Sequence, residues 1–418
     1  MLSLLLLLSS NLPGAILWAA TAPEAAKPTK HNTIGFLPFA SYNDDQGLAY
    51  GFVLQLDDQR PGEFTPYYLS HRLAITRTTR GIGDYNYRLD SKYLLPAELR
   101  LTLVVSSYTS LFEPYHGPGG ARTNYDAAFI DEGSASYRGR FYYMYAKRYL
   151  KVSTLVQGRL KGDKFRWLAG LVILTTQVDS IDYDDYDGDD PGRQTLLARH
   201  WDYYGAAVDG GRENGLVGGL VWDSRDHETS PQRGLWSELL ARWVPGKLGN
   251  DFQYAAITAT HRQYIPLYPD LTMAIRLSGR WLSSGAPFFT VPRIDGSFTS
   301  VSGLGGNMTI RGVLWQRAVG RQLFYSNWEL RYRVRQLFST GYLAASAFYD
   351  LGRTFDPADA RDLPDSGPGS DSWHAGVGAG LRIALSDTFI LALDLGWPRD
   401  PDLDGPGVKV YMGLDWLF

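Results

Sequence analysis

The chain has 418 residues and a formal net charge of -3; aromatic residues make up 14% and charged residues only 20%. Near-neutral charge excludes the basic footprint of a nucleic-acid binder, and 44% hydrophobic residues excludes a disordered chain. The lack of cysteine excludes disulfides and thiolate metal sites, and the body of the chain has no apolar run of ~20 residues, which excludes a helical membrane bundle.

Residues 1–22 read as a cleaved export signal, with an apolar core from Leu2 to Leu8 and a small-residue end at Ala20-Thr21-Ala22. Residues 23–33 form a short segment far below the ~40 residues that fold unaided, so no separate folded module is expected there. From 34 to 418 the chain is expected to be a single transmembrane unit, although 33–57 and 125–160 do not divide cleanly into strands.

Apolar side chains then recur in steps of two. Leu271, Met273, Ile275, Leu277 and Trp281 oppose Thr272, Arg276, Ser278 and Arg280. Phe324, Trp328, Leu330, Tyr332 and Val334 oppose Glu329, Arg331, Arg333 and Arg335. Trp373 to Leu385 sets alternate apolar residues against His374, Gly376, Gly378, Gly380 and Arg382, and Leu391 to Trp397 sets them against Ala392, Asp394 and Gly396. In the closing run Val408, Val410, Met412, Leu414, Trp416 and Phe418 share one face. Period two marks strands with one apolar face. Runs of ~10 residues match a tilted bilayer crossing, and aromatic ends on the apolar face with glycine and arginine on the other suit a barrel with a polar lumen.

Connections divide into two kinds. Those near Pro96–Glu98, Lys161–Lys164, Tyr268–Leu271, Gln336–Gly341 and Leu385–Thr388 are tight, while 112–136, 179–199, 285–308, 355–372 and 398–407 are long and polar. Short periplasmic turns and long outer loops fit a bacterial outer-membrane barrel, and ~25 residues per strand and connection gives about sixteen strands. The expected fold is therefore all-β, a transmembrane antiparallel β-barrel.

Few residues suggest chemistry. G-x-S-x-G, H-E-x-x-H and P-loop patterns are absent, and His31, His71, His116, His200, His227, His261 and His374 are scattered. No enzyme, metal site or cofactor is expected. The acidic run from Asp182 to Asp190 lacks EF-hand spacing and reads as a solvated loop rather than a calcium site.

A glycine-rich loop runs from Gly303 to Gly312 and carries Arg311. Alternation places Glu329 and Arg331 on the lumenal face of the next strand, and Phe348 and Asp350 on that of the strand ending Phe348-Tyr-Asp350-Leu-Gly352. Arg311 either folds inward to meet those carboxylates, where a buried pair would pin the loop, or sits on a loop tip in water.

These residues resemble the barrel of the BamA/TamA family, also called the bacterial surface antigen family. Its inward-folded loop motif corresponds to Ile310-Arg311-Gly312-Val313, its G-x-x-E-x-R strand motif to Ser326 through Glu329 and Arg331, and its F-x-D-x-G motif to Phe348 through Gly352. An upstream D-x-R-D…P-x-x-G pattern recurs as Asp223 to Asp226 and Pro231 to Gly234. Val313 replaces an aromatic residue and Ser326 a glycine. The match covers 216–418. The resemblance implies an inward-folded loop in which Ile310, Arg311 and Gly312 meet Glu329, Arg331, Phe348, Asp350 and Gly352. It also implies an assembly signal in Val410, Met412, Leu414, Trp416 and Phe418. The chain looks like a barrel-only subgroup that acts in protein or lipid insertion or transport. Implied partners are outer-membrane lipid, the barrel-assembly machinery during its own insertion, and an unidentified periplasmic or client protein. The alternative is a passive or gated pore or secretion channel; an outer-membrane enzyme or adhesion surface is the weakest reading.

Overall fold

In the computed structural model the two-residue alternation becomes sixteen antiparallel strands closed into a barrel. The structure describes residues 32–418 except 59, 61–66, 120–122, 124, 182–192, 206–208, 228–229, 298, 338–340, 356–362, 364–371, 387–388 and 415; the export signal and the acidic run therefore lie outside the described residues.

The first seven strands are β1 (Asn32–Asn43), β2 (Gly47–Asp58), β3 (Leu69–Thr78), β4 (Ile82–Ser91), β5 (Arg100–Pro114), β6 (Met144–Lys161) and β7 (Phe165–Asp179). The eighth, β8, is broken into Gly210–Arg212 and Gly215–Asp223, both paired with β7. It is followed by β9 (Gly234–Val244), β10 (Tyr254–Tyr268), β11 (Leu271–Leu282) and β12 (Gln322–Gln336). The last four are β13 (Tyr342–Thr354), β14 (His374–Ser386), β15 (Phe389–Pro398) and β16 (Lys409–Leu414). Each pairs with its sequence neighbours, and β1 meets β16 to close the ring.

Burial follows the pleat. On β11, Thr272, Ala274, Arg276, Ser278 and Arg280 are buried in the lumen while Leu277 and Trp281 are exposed on the outside. Trp222, Trp243, Trp281, Trp328, Trp373 and Trp397 stand outward with them. A surface this apolar belongs in lipid. No helix among the described residues is long and apolar enough to cross a membrane.

The segment 33–57, unparsed by pattern, is the β1–β2 hairpin, with twelve register partners. Its turn and the β3–β4 turn are tight yet lie on the long-loop rim, so loop length alone assigns the rims imperfectly. Strand β5 runs to Pro114 and β6 starts at Met144, so the loop expected at 112–136 spans 115–143 instead. It packs inward. Tyr115, Tyr142, Tyr143 and Tyr145 join Leu196, Leu197, Phe288 and Phe289 in an aromatic cluster at the long-loop end. The longest loop, 283–321, descends into the lumen and carries a two-stranded ribbon, Arg293–Ile294 against Val301–Ser302.

The closing seam is short. Among the described residues one register pair, Asn43 with Tyr411, joins β1 to β16. The Asp44 N–H donates to the Val410 carbonyl at 3.2 Å, and the Val410 N–H donates to Asp44 Oδ2 at 2.7 Å. The rest of the β1 edge has a chemical reason to stay open. The Thr79 N–H donates to the Leu48 carbonyl, so Leu48 faces β3, and its partner Tyr42 faces away from β2. By alternation Ala40, Pro38 and Phe36 face the seam too. Pro38 has no N–H, so the row of donors is interrupted there.

The chain end corrects one expectation. Trp416 and Phe418 were expected to continue the lipid-facing row of Val410 and Met412; instead they turn into the lumen and are buried. Continuing the register would set Trp416 against donorless Pro38. Inside, Arg331 lies over the Trp416 ring at 4.4 Å and the Phe418 ring at 4.9 Å, and donates to the Phe418 carbonyl at 3.0 Å. Val410 is half-buried and Met412 exposed. Leu414 ends β16, and its side chain lies outside the described residues.

Candidate functional site

The loop 303–312 holds itself before it meets the wall. Gly303, Gly305, Gly306 and Gly312 all take positive φ, which glycine adopts without steric penalty. The Thr309 hydroxyl accepts from Gly305 N–H at 2.9 Å and donates to the Gly303 carbonyl at 3.1 Å. Ile310 and Val313 are fully buried with Ile294, Leu304, Ala318, Leu323 and Tyr325.

The loop is then tied to the barrel. Asn327 on β12 donates to the Thr309 carbonyl at 2.6 Å. Arg276 on β11 donates to the Met308 carbonyl at 2.7 Å and to Asn327 Oδ1 at 2.8 Å. Gly312 N–H donates to the Tyr411 hydroxyl at 3.0 Å, which links the loop tip to the closing strand.

Arg311 is 1% exposed. Its Nε donates to Asp350 Oδ2 at 2.8 Å and its Nη2 to Asp350 Oδ1 at 3.1 Å, a two-pronged contact, while its own N–H reaches Asp350 Oδ2 at 3.1 Å. Nη1 lies 3.5 Å from Glu329 Oε1 and 3.3 Å from Asp394 Oδ2. The guanidinium stacks on Phe348 at 3.4 Å from the ring centre. Arg331 pairs with Glu329 at 2.9 Å, and Arg382 pairs with Asp394 at 2.7 Å while approaching Glu329 at 3.6 Å. Three arginines therefore meet three carboxylates, which satisfies the need for buried charges to be paired.

The expected lumenal residues thus come together. Glu329, Phe348 and Asp350 touch Arg311, and Arg331 reaches it only through Glu329. Gly352 lies beneath Ile310, where a Cβ would come 3.0 Å from Ile310 Cδ1. Arg382, Asp394, Arg276, Asn327 and Tyr411 were not singled out. Alternation had placed Arg382 and Asp394 on inner faces, but no motif joined them to the loop. The D-x-R-D segment forms the β8–β9 turn, and its Arg225 borders the same lumenal cavity as Arg382 and Asp394. There Arg225 pairs with Asp223 at 2.9 Å, and Asp226 Oδ1 accepts from the Gln232 N–H at 3.0 Å.

A second contact ties the loop to the seam. Asp45, in the β1–β2 turn, packs so close to the loop that a Cβ on Gly306 would lie 3.1 Å from its Oδ2. Burial pushes the Asp45 carboxyl up to about 7, with Lys409 pulling it back and Asp44 adding to the rise. A carboxyl whose folded value lies above its unfolded 3.8 stabilises the fold increasingly as pH falls from about 7 towards 4, and that contribution is lost as pH rises through the same window. Protease access to 303–312 should therefore increase between about pH 5 and pH 8. Asp45→Asn should flatten that rise; an unchanged profile in the variant would assign it to other groups.

A family model described as the Omp85 superfamily domain matches residues 81–416. Among solved structures, the chain is similar to BamA from Haemophilus ducreyi lacking POTRA domains 1-3, with a TM-score of 0.61 and 13% identity over 92% of this chain and 70% of that one. It is also similar to CdiB from Escherichia coli (TM-score 0.58, 12% identity, 94% of this chain, 64% of that). CdiB from Acinetobacter baumannii gives a TM-score of 0.53 and 12% identity over 92% of this chain and 60% of that. The chain spans less than two thirds of either CdiB. No curated protein matches it. At these identities structural likeness speaks for the barrel fold, and the family rests on the match that runs through β4 to the chain end: the chain belongs to the Omp85 superfamily.

Proposed function

We propose that this barrel works in the bacterial outer membrane as a non-enzymatic insertion or transport protein that opens sideways between β1 and β16, passing a client polypeptide or a lipid between lumen and bilayer. The observation that carries this reading is the seam. Among the described residues a single register pair closes it, while β1 and β2 share twelve, and an unpaired strand edge is a template for another strand. Family membership and the likeness to BamA support the same reading. A standing pore gains no such support, because Tyr115, Tyr142, Tyr145, Phe288 and Phe289 pack together in a buried cluster at the long-loop end.

The test uses the absence of cysteine. Ser41 and Gly413 would face each other if the seam register continued, so Ser41→Cys with Gly413→Cys places a lock across it. Oxidising the pair in cells should lower the levels of other outer-membrane proteins, depletion of the whole protein should do the same, and reduction should restore them. Unchanged levels with the lock formed would refute lateral opening towards protein clients.

A further inference from the structure

Two cavities share a wall beside the seam. The inner one, about 390 Å³, lies in the lumen among Trp236, Arg262, Arg276, Arg382 and Phe418. The outer one, about 400 Å³, lies between Phe39, Ala40 and Ser41 of β1 and the apolar side chains Leu381, Ile383 and Leu391. Ala392, Met412 and Gly413 border both. A Cβ added at Gly413 would meet nothing within 4 Å, so this wall is thin.

The inner cavity carries an excess of positive charge, with Arg225, Arg262, Arg276 and Arg382 in its lining against Glu238 and Asp394. Arg262 on β10 stands directly opposite Arg276 on β11, an arrangement that is destabilising for like charges. Arg276 is held only by neutral acceptors, the Asn327 side chain and the Met308 carbonyl. Arg262 lies over the Trp236 ring at 4.4 Å; its Nε is buried with no hydrogen-bond partner, and no carboxylate among the described residues forms an ion pair with it. Of the carboxylates bordering the cavity, Asp394 is engaged by Arg382 and Arg311, and Glu238 accepts from the Ser297 N–H at 3.0 Å and attracts Arg262 without forming an ion pair with it.

We infer that the inner cavity takes the phosphate of a glycerophospholipid between Arg262 and Arg276, with the acyl chains leaving across the seam into the outer apolar cavity. Guanidinium groups match the geometry of a phosphate oxyanion, Trp236 and Phe418 give the glycerol backbone apolar surface, and the leucine and isoleucine side chains outside suit hydrocarbon. The inference rests on the lateral opening proposed above.

The full-length protein, stripped of lipid by detergent exchange, is titrated with phosphatidylglycerol, with diacylglycerol of the same chains, and with glycerol phosphate, and bound ligand is read by native mass spectrometry. Phosphatidylglycerol should bind at least about tenfold more tightly than either half-molecule, and Arg262→Gln should weaken it by about tenfold, the loss of one charge-assisted contact. Arg262→Lys should restore part of it. Because Arg262 forms no ion pair, the Gln variant should keep the heat-dependent gel mobility of a folded barrel. Equal binding by Arg262→Gln, or diacylglycerol binding as tightly as phosphatidylglycerol, overturns the lipid site even where the oxidised seam lock still lowers client levels. If the lock leaves client levels intact while Arg262→Gln still sheds lipid, the proposed client function fails and the lipid site stands.

Discussion

Arg311→Ala should release the inward loop: protease access at 303–312 should rise sharply, and single-channel conductance in planar bilayers should increase from the level of the parent. The size follows from what the guanidinium leaves behind. Asp350 is fully buried and takes three hydrogen bonds from Arg311, one of them from the backbone. Without the side chain its charge keeps one hydrogen bond, from the loop N–H, and the more distant pull of Arg276, and Glu329 and Asp394 must rely on Arg331 and Arg382. Removing one member of a buried ion pair costs about 3–5 kcal/mol, more than any single remaining tie of the loop: the neutral hydrogen bonds are worth ~1 kcal/mol each, and the charge-assisted one from Arg276 to the Met308 carbonyl about 1.5–3 kcal/mol. The strand ladders do not involve Arg311, so the barrel should keep its heat-dependent gel mobility. Arg311→Lys should rescue poorly, because an ammonium cannot make the two-pronged contact or stack flat on Phe348. Asp350→Ala should act in the same direction, and the double variant should cost less than the sum of the singles, since each change removes the same interaction. Strict additivity, or parental conductance in both singles, would show that the pair does not hold the loop.

What could be read in the sequence divides along the period of the chain. Strands announce themselves because side chains at i and i+2 share a face and one face meets lipid; β11, β12 and β14 show this plainly. The same rule puts Glu329, Phe348 and Asp350 inside without reference to any partner. It could not join Arg382 and Asp394 to Arg311, because that grouping depends on which strands lie side by side around a closed ring: Asp394 is 83 residues from Arg311, and no local pattern records the distance. The inward turn of Trp416 and Phe418 was illegible for a related reason. Alternation assumes that a strand continues, and here it stops because the opposing edge carries Pro38, 378 residues before Trp416 in the sequence. Likewise the like-charged pair of Arg262 and Arg276 exists only once β10 and β11 are in register.

Gly376→Ala should release the loop as fully as Arg311→Ala while leaving every charge in place. The loop tip rests backbone-to-backbone on a strip of glycines across β14 and β15. A Cβ on Gly376 would overlap the Arg311 carbonyl oxygen and lie 3.1 Å from its carbon; one on Gly396 would lie 2.7 Å from the Gly312 nitrogen. The clash is with main-chain atoms, so no rotamer change relieves it. Either the strand moves, which breaks the ladders to β13 and β15 at Asp350 and Pro398, or the tip lifts and Arg311 is drawn from Asp350. Overpacking alone costs about 1–3 kcal/mol, and lifting the tip adds much of the buried-pair loss of about 3–5 kcal/mol. Gly312→Ala should be at least as severe, since its φ of +94° disfavours any side chain and its Cβ would lie 2.7 Å from the Trp397 carbonyl carbon. Gly279→Ala on β11 is the control, because the nearest atom to its Cβ is the Leu323 carbonyl oxygen at 3.7 Å, an ordinary contact. If Gly376→Ala leaves protease access and conductance at parental values while Arg311→Ala raises them, the charges alone seat the loop and the glycine strip is incidental. If both raise them and Gly279→Ala does not, the fit of backbone against backbone is what lets the ion pairs form.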